Sequence, residues 1–221
     1  MQGWKERATL LGRFTDPNWL ITLAILFLTS IPVHEWAHAW AAFQLGDDTA
    51  ARRGRLTINP VAHLDPMGAI ALVLFGFGWG KPVPVNPYRL RGDLRRNQAL
   101  VSIAGPLSNL ILAMLGAIPF RLGWVSLYGR ASGISPQGIL VGFISINLVL
   151  MVFNLIPFPP LDGSRILAWL LPRRWAVKFD QLEQFGAPAL ILALFLLSRL
   201  GVLAMVMNPV MSFLFRALLV Y

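Results

Sequence analysis

The chain contains no cysteine, which excludes disulfides and thiolate ligands and leaves any bound metal to nitrogen and oxygen donors. Charge is scarce as well. Asp, Glu, Lys and Arg make up 13% of the 221 residues while 56% are hydrophobic, far more apolar than a soluble globule needs and the balance of an integral membrane protein. Acidic residues are the scarcer sign, ten against nineteen basic, for a formal charge of +9. The basic residues lie between the apolar stretches, where anionic headgroups and topology account for them; the expected partner is the lipid bilayer, not nucleic acid. Only three histidines occur, His34, His38 and His63.

Two of them fall in one stretch, Ile31-Pro32-Val33-His34-Glu35-Trp36-Ala37-His38. On a helix His34 and His38 stand one turn apart, so their imidazoles can converge on one metal ion, and Glu35 sits on the adjoining rim beside any water held there. The bland alternative is a chance pattern whose histidines are satisfied by backbone carbonyls. The surroundings argue against it: Trp19 to Val33 carries no charge, and an ionisable group at membrane depth costs roughly 2.5 kcal/mol or more.

Hydropathy predicts an all-α polytopic membrane protein with about four transmembrane helices. A short arm, 1–17, precedes a retained first span over about 18–45, kinked or unwound near Pro32. Further spans are expected over 97–120 and 138–157. The apolar 185–220 stretch should hold one span plus a terminal helix, broken near Asn208-Pro209. Met67 to Gly80 is apolar but short and interrupted by Gly68, Gly76 and Gly78, which suits a re-entrant or interfacial piece. Alternation in Arg55-Leu56-Thr57-Ile58-Asn59 suggests a short β-strand on the cytoplasmic side. The prolines of Lys81-Pro82-Val83-Pro84-Val85-Asn86-Pro87 favour an extended edge able to accept a peptide strand. The 46–96 segment carries eight Lys and Arg and 158–184 carries four, whereas the connection between the second and third spans has only Arg121 and Arg130. The positive-inside rule therefore puts the first two on the cytoplasmic side of the cell membrane, together with the end of the first span.

A catalytic zinc takes three protein ligands and an open position. The third donor is a carboxylate or His63. Asp162 is the better placed, in a proline-rich turn at the foot of the third span and on the side of the histidines, although it could equally cap the helix that follows. His63 is a candidate accessory ligand or gate, or simply a structural loop histidine. Small residues in Gly105-Pro106-Leu107-Ser108-Asn109 allow close helix packing, with Asn109 a candidate accessory position.

Taken together, His34-Glu35-x-x-His38, Gly105-Pro106-x-x-Asn109 and Asn154-x-x-Pro157-x-Pro159-x-Leu161-Asp162-Gly163 resemble the motifs of the site-2 protease family of intramembrane zinc metalloproteases, in the same order. The resemblance implies one Zn2+ per chain held by His34, His38 and Asp162, Glu35 as general base, and Asn154 on the substrate backbone or oxyanion. It also implies that the segment from Lys81 to Asn86 clamps an unwound substrate strand. The expected organisation is a single membrane-embedded protease domain over 1–221, with a core of about 18–166 and C-terminal helices over about 185–220. The expected function is regulated proteolysis of a transmembrane protein substrate. Another membrane-bound zinc hydrolase, or a non-catalytic scaffold keeping the metal site, are the competing readings. Oligomeric state is not legible.

Overall fold

The computed structural model describes residues 17–75, 79–127 and 134–219. The chain begins with helices α1 (Pro17–Ile25) and α2 (Ile31–Gln44), joined without a break by a π-helical turn, Leu26–Ser30. Pro32 explains that turn. It has no N–H to offer the preceding turn and its ring crowds the carbonyl four residues back, so the ladder widens and the Ile31 N–H reaches Leu26 O, five residues away. The expected unwinding near Pro32 is thus a single wide turn just ahead of the histidines.

Short helices α3 (Thr49–Arg52), α4 (Pro60–His63) and α5 (Pro66–Phe75) follow, then the long α6 (Leu94–Arg121) and α7 (Pro136–Asn154). The chain ends in α8 (Asp162–Leu170), α9 (Arg173–Asp180), α10 (Gly186–Arg199) and α11 (Val202–Leu219). Side chains start the two long helices: Asp93 accepts Arg96 N–H at 2.7 Å, and Ser135 accepts Gly138 N–H at 3.0 Å. Among the described residues, four segments are long and apolar enough to cross a membrane: Leu20–Gln44, Leu94–Arg121, Pro136–Asn154 and Val202–Leu219.

Helix α6 is the central post, packed against α2, α7 and α8. Its sequence explains how. Ser102, Gly105, Asn109, Ala113 and Gly116 recur at helical spacing on the buried side, while Ile103, Leu107, Ile111, Met114 and Ile118 are exposed. Small residues inside and large apolar ones outside is the arrangement lipid favours, because burial of bulk gains nothing there and close packing does. Ala113, Ala117 and Phe120 form one cluster with Ile144, Leu148 and Met151 of α7. A second joins Leu23, Leu26 and Ile31.

Two expectations need correction. No β-strand occurs among the described residues, and Arg55 to Asn59 is a loop. Turn chemistry wins there: Thr57 Oγ1 accepts Asn59 N–H at 3.1 Å, Asn59 Oδ1 caps α4 through Val61 N–H, and Arg55 turns inward. The C-terminal helices separate not at Pro209, which lies inside α11, but at Gly201, whose φ of 72° turns the chain. The Met67 to Gly80 stretch begins, as its length suggested, with a helix too short to cross, α5 being 10 residues and about 15 Å long; residues 76–78 lie outside the described residues.

Candidate metal centre and cleft

His34 and His38 are both buried on α2, and their Nε2 atoms stand 3.0 Å apart. What aims them comes from α6. His34 Nδ1 donates to Asn109 Oδ1 at 2.6 Å, and His38 Nδ1 donates to the Val101 carbonyl at 2.8 Å. Asn109 cannot turn over to present its amide nitrogen, because its Nδ2 donates to Asn147 Oδ1 at 3.0 Å and Asn147 Nδ2 donates in turn to Phe143 O at 2.9 Å. Each imidazole therefore carries its proton on Nδ1 and a lone pair on Nε2. Gly105 gives the rings room: a Cβ there would lie 2.5 Å from His38 Cε1 and 2.6 Å from His34 Cε1.

Asp162 completes the cluster from the first turn of α8. Its Oδ2 is 3.3 Å from His34 Nε2 and its Oδ1 is 3.3 Å from His38 Nε2. It does not cap its helix; the N-cap residue is Leu161, without a side-chain cap bond. Gly163 lets this turn lie against the end of α7, since a Cβ would sit 2.5 Å from the Leu155 carbonyl carbon. The far end of α8 is anchored to α6 by Arg95, whose Nη2 donates to the carbonyls of Ala168, Trp169 and Leu171.

The donor set fits a divalent cation. His34, His38 and Asp162 each offer an atom, all within 4.8 Å of one another. Both Nε2 atoms present lone pairs, and the buried Asp162 Oδ2 accepts no hydrogen bond. Lone pairs aimed at one point with no proton between them repel unless a cation is shared, and two imidazoles with one carboxylate are a donor set for zinc.

Beside the cluster opens a cleft of about 280 Å³ lined by His34, Glu35, Val83, Gln98, Asn154 and Arg165 among others. Glu35 Oε2 accepts the Val83 N–H at 2.8 Å. Asn154, the last residue of α7, spends one N–H on Leu150 O at 3.0 Å and lines the cleft as well. His63 is elsewhere and fully buried. Its Nε2 donates to Thr57 O at 2.7 Å and its Nδ1 faces Arg55 Nη2 at 3.5 Å, so both nitrogens are committed to the loop.

The comparisons with known proteins bear on this geometry directly. Residues 122–197, the part with Asn154 and Asp162, match the family described as Peptidase family M50. The chain is 47% identical over 168 residues to "Putative zinc metalloprotease YwhC" of Bacillus subtilis, covering 74% of this chain and 75% of that one. The chain belongs to peptidase family M50, the site-2 proteases. Rip2 of Mycolicibacterium smegmatis shares 34% identity with this M50 chain over 141 residues, 62% of it and 52% of Rip2. "Zinc metalloprotease MJ0392" of Methanocaldococcus jannaschii shares 27% over 157 residues, 71% of this chain and 36% of that one. No solved structure matches the chain. This M50 protein is a zinc metalloprotease with membrane-length helices, and the cluster of His34, His38 and Asp162 is a place where its metal fits. Sequence reasoning missed three of the supports, namely the Gly105 clearance, the Val101 carbonyl and the relay through Asn147. Only Asn147, polar in an uncharged span, carried a signal of its own.

Proposed function

We propose that the protein hydrolyses a peptide bond within or next to a transmembrane segment of another membrane protein, in regulated intramembrane proteolysis, from a site near the cytoplasmic face of the cell membrane. What supports the reading is that metal-donor atoms, a carboxylate and a side-chain amide share one cleft beside the end of a membrane-length helix. His34, His38 and Asp162 would hold the zinc, which when bound supplies Lewis acidity to water and to a carbonyl oxygen. Glu35 takes the proton of the attacking water and delivers it to the leaving amine. Asn154, with its second amide N–H, hydrogen-bonds the developing oxyanion, a role worth about 2.7–4 kcal/mol in comparable sites. A substrate helix offers no free backbone groups, so it must unwind before cleavage, and glycine or proline in the target eases this.

The test begins with zinc, because no substrate is needed. Detergent-purified wild type is expected to hold about one zinc per chain and Asp162→Ala to lose it or bind it far more weakly. Glu35→Gln should keep fold and zinc while cleavage of a single-span substrate disappears. Full-affinity zinc in Asp162→Ala would remove that residue from the site, and normal turnover by Glu35→Gln would overturn the mechanism.

A further inference from the structure

The segment from Lys81 to Pro87 is built with unusual economy. Pro82, Pro84 and Pro87 fix φ near −65°, and Lys81, Val83 and Asn86 each precede a proline and are thereby pushed toward extended backbone. The proline pattern leaves N–H groups only on Lys81, Val83, Val85 and Asn86. Three of these have fixed acceptors. Lys81 N–H goes to His63 O at 2.8 Å, Asn86 N–H to Asp47 Oδ2 at 2.6 Å, and Val83 N–H, between them, to Glu35 Oε2 at 2.8 Å.

Both ends of the segment are clamped by buried ionisable groups that hydrolysis does not use. At one end Arg55 Nη2 donates to Lys81 O at 2.5 Å and to Pro82 O at 3.3 Å, with the fully buried His63 beside it. At the other, Asp47 is also fully buried, and its Oδ1 accepts Thr49 N–H at 3.0 Å. Ionisable groups are rarely buried completely without a task. Here their shared effect is to fix the backbone on either side of Val83, and so the direction of its N–H.

We infer that Val83 is a positioning residue for Glu35, acting through its main-chain amide, and that Arg55, His63 and Asp47 serve the site by holding that amide in place. The inference rests on Glu35 being the general base. A glutamate on a helix flank has several rotamers open to it; a charge-assisted hydrogen bond from a rigid backbone selects one and removes the reorganisation otherwise needed in each turnover. The effect belongs to the chemical step. A segment that served only to bind substrate would act on KM.

The test compares Val83→Pro, which deletes the donor from backbone already flanked by prolines, with Val83→Ala, which keeps it. Zinc content, kcat and KM are read on a single-span reporter that the wild type cleaves. In parallel, amide exchange at residue 83 is followed in zinc-loaded, full-length wild type and Glu35→Ala. Val83→Pro is expected to keep its zinc and to lose about 10- to 100-fold in kcat, the worth of one charge-assisted hydrogen bond. Its KM should stay within about twofold, and Val83→Ala should recover most of the lost kcat. Exchange at residue 83 should quicken about tenfold or more in Glu35→Ala, a result that stands even if the proline variant folds poorly. Normal kcat in Val83→Pro, a change confined to KM, or exchange that stays slow in Glu35→Ala would each overturn the inference. An inactive Glu35→Gln beside a normal Val83→Pro would defeat only the positioning role, whereas an active Glu35→Gln would defeat the assignment of the base on which it rests.

Discussion

Gly105 lacks a side chain where two imidazole rings need the space, and four residues on, Asn109 accepts the Nδ1 proton of His34. This is where sequence and structure part at the residue scale. The spacing of His34 and His38 is legible because one covalent turn of helix fixes it. The groups that orient their far nitrogens are not, since Val101 and Asn109 are 63 and 75 residues away and declare themselves only once α2 meets α6. Small residues in that stretch read as helix packing, which is true of the helix and incomplete for the site. Asn109→Ala should leave the fold in place but free the His34 ring to rotate or change tautomer. Zinc affinity, measured by competition with a chromogenic chelator, should fall about 10- to 100-fold, as for other lost partners of ligating histidines. Unchanged affinity would mean that helix α2 alone sets the ring.

At the scale of elements, α8 is a short helix with an exacting task, carrying Asp162 at one end and the Arg95 contacts at the other. Nine residues make too little helix to hold position unaided. Arg95 closes its C-terminal carbonyls onto α6, so Arg95→Ala should lower the melting temperature and weaken zinc binding together while Glu35 keeps its Val83 contact. A lower melting temperature with zinc affinity intact would show that Asp162 is held by its own turn alone. The start of α8 was legible from the proline-rich approach, yet whether Asp162 capped the helix or faced the histidines was not. The same residue type does both, and the Gly163 contact with Leu155 that turns it away from capping is tertiary. The loop at Arg55 to Asn59 shows the converse error: alternation suggested a strand, but a strand needs a neighbour, and local Thr and Asn bonds were available without one.

At the scale of the whole molecule the spans were the most legible feature, because lipid penalises a charge or an open backbone wherever it falls along the chain and the signal needs no partner. Their ends moved by a few residues, and the C-terminal break moved from Pro209 to Gly201. The donor set ties α2 to α8, both of which pack against α6. Metal should therefore act as a cross-brace. Removing zinc with a chelator should lower the melting temperature, and restoring it to 100 times its Kd should return about 2.7 kcal/mol. In Asp162→Ala the same titration should leave the melting curve where it began.

One consequence of the Lys81 to Pro87 segment concerns molecules other than a substrate. In extended backbone, successive residues present their hydrogen-bonding groups to opposite sides. Val83 and Val85 line the cleft beside Glu35, and Pro82 and Pro84 have no N–H to give. An edge able to recruit one foreign strand is ordinarily able to recruit its own kind, and crowding in a membrane brings copies together often. With no N–H on Pro82 or Pro84, and those of Lys81, Val83 and Asn86 already held by His63, Glu35 and Asp47, the segment has little left with which to seed a ladder between neighbours. A segment whose donors are spent inside its own molecule is thereby kept from becoming a nucleus for aggregation.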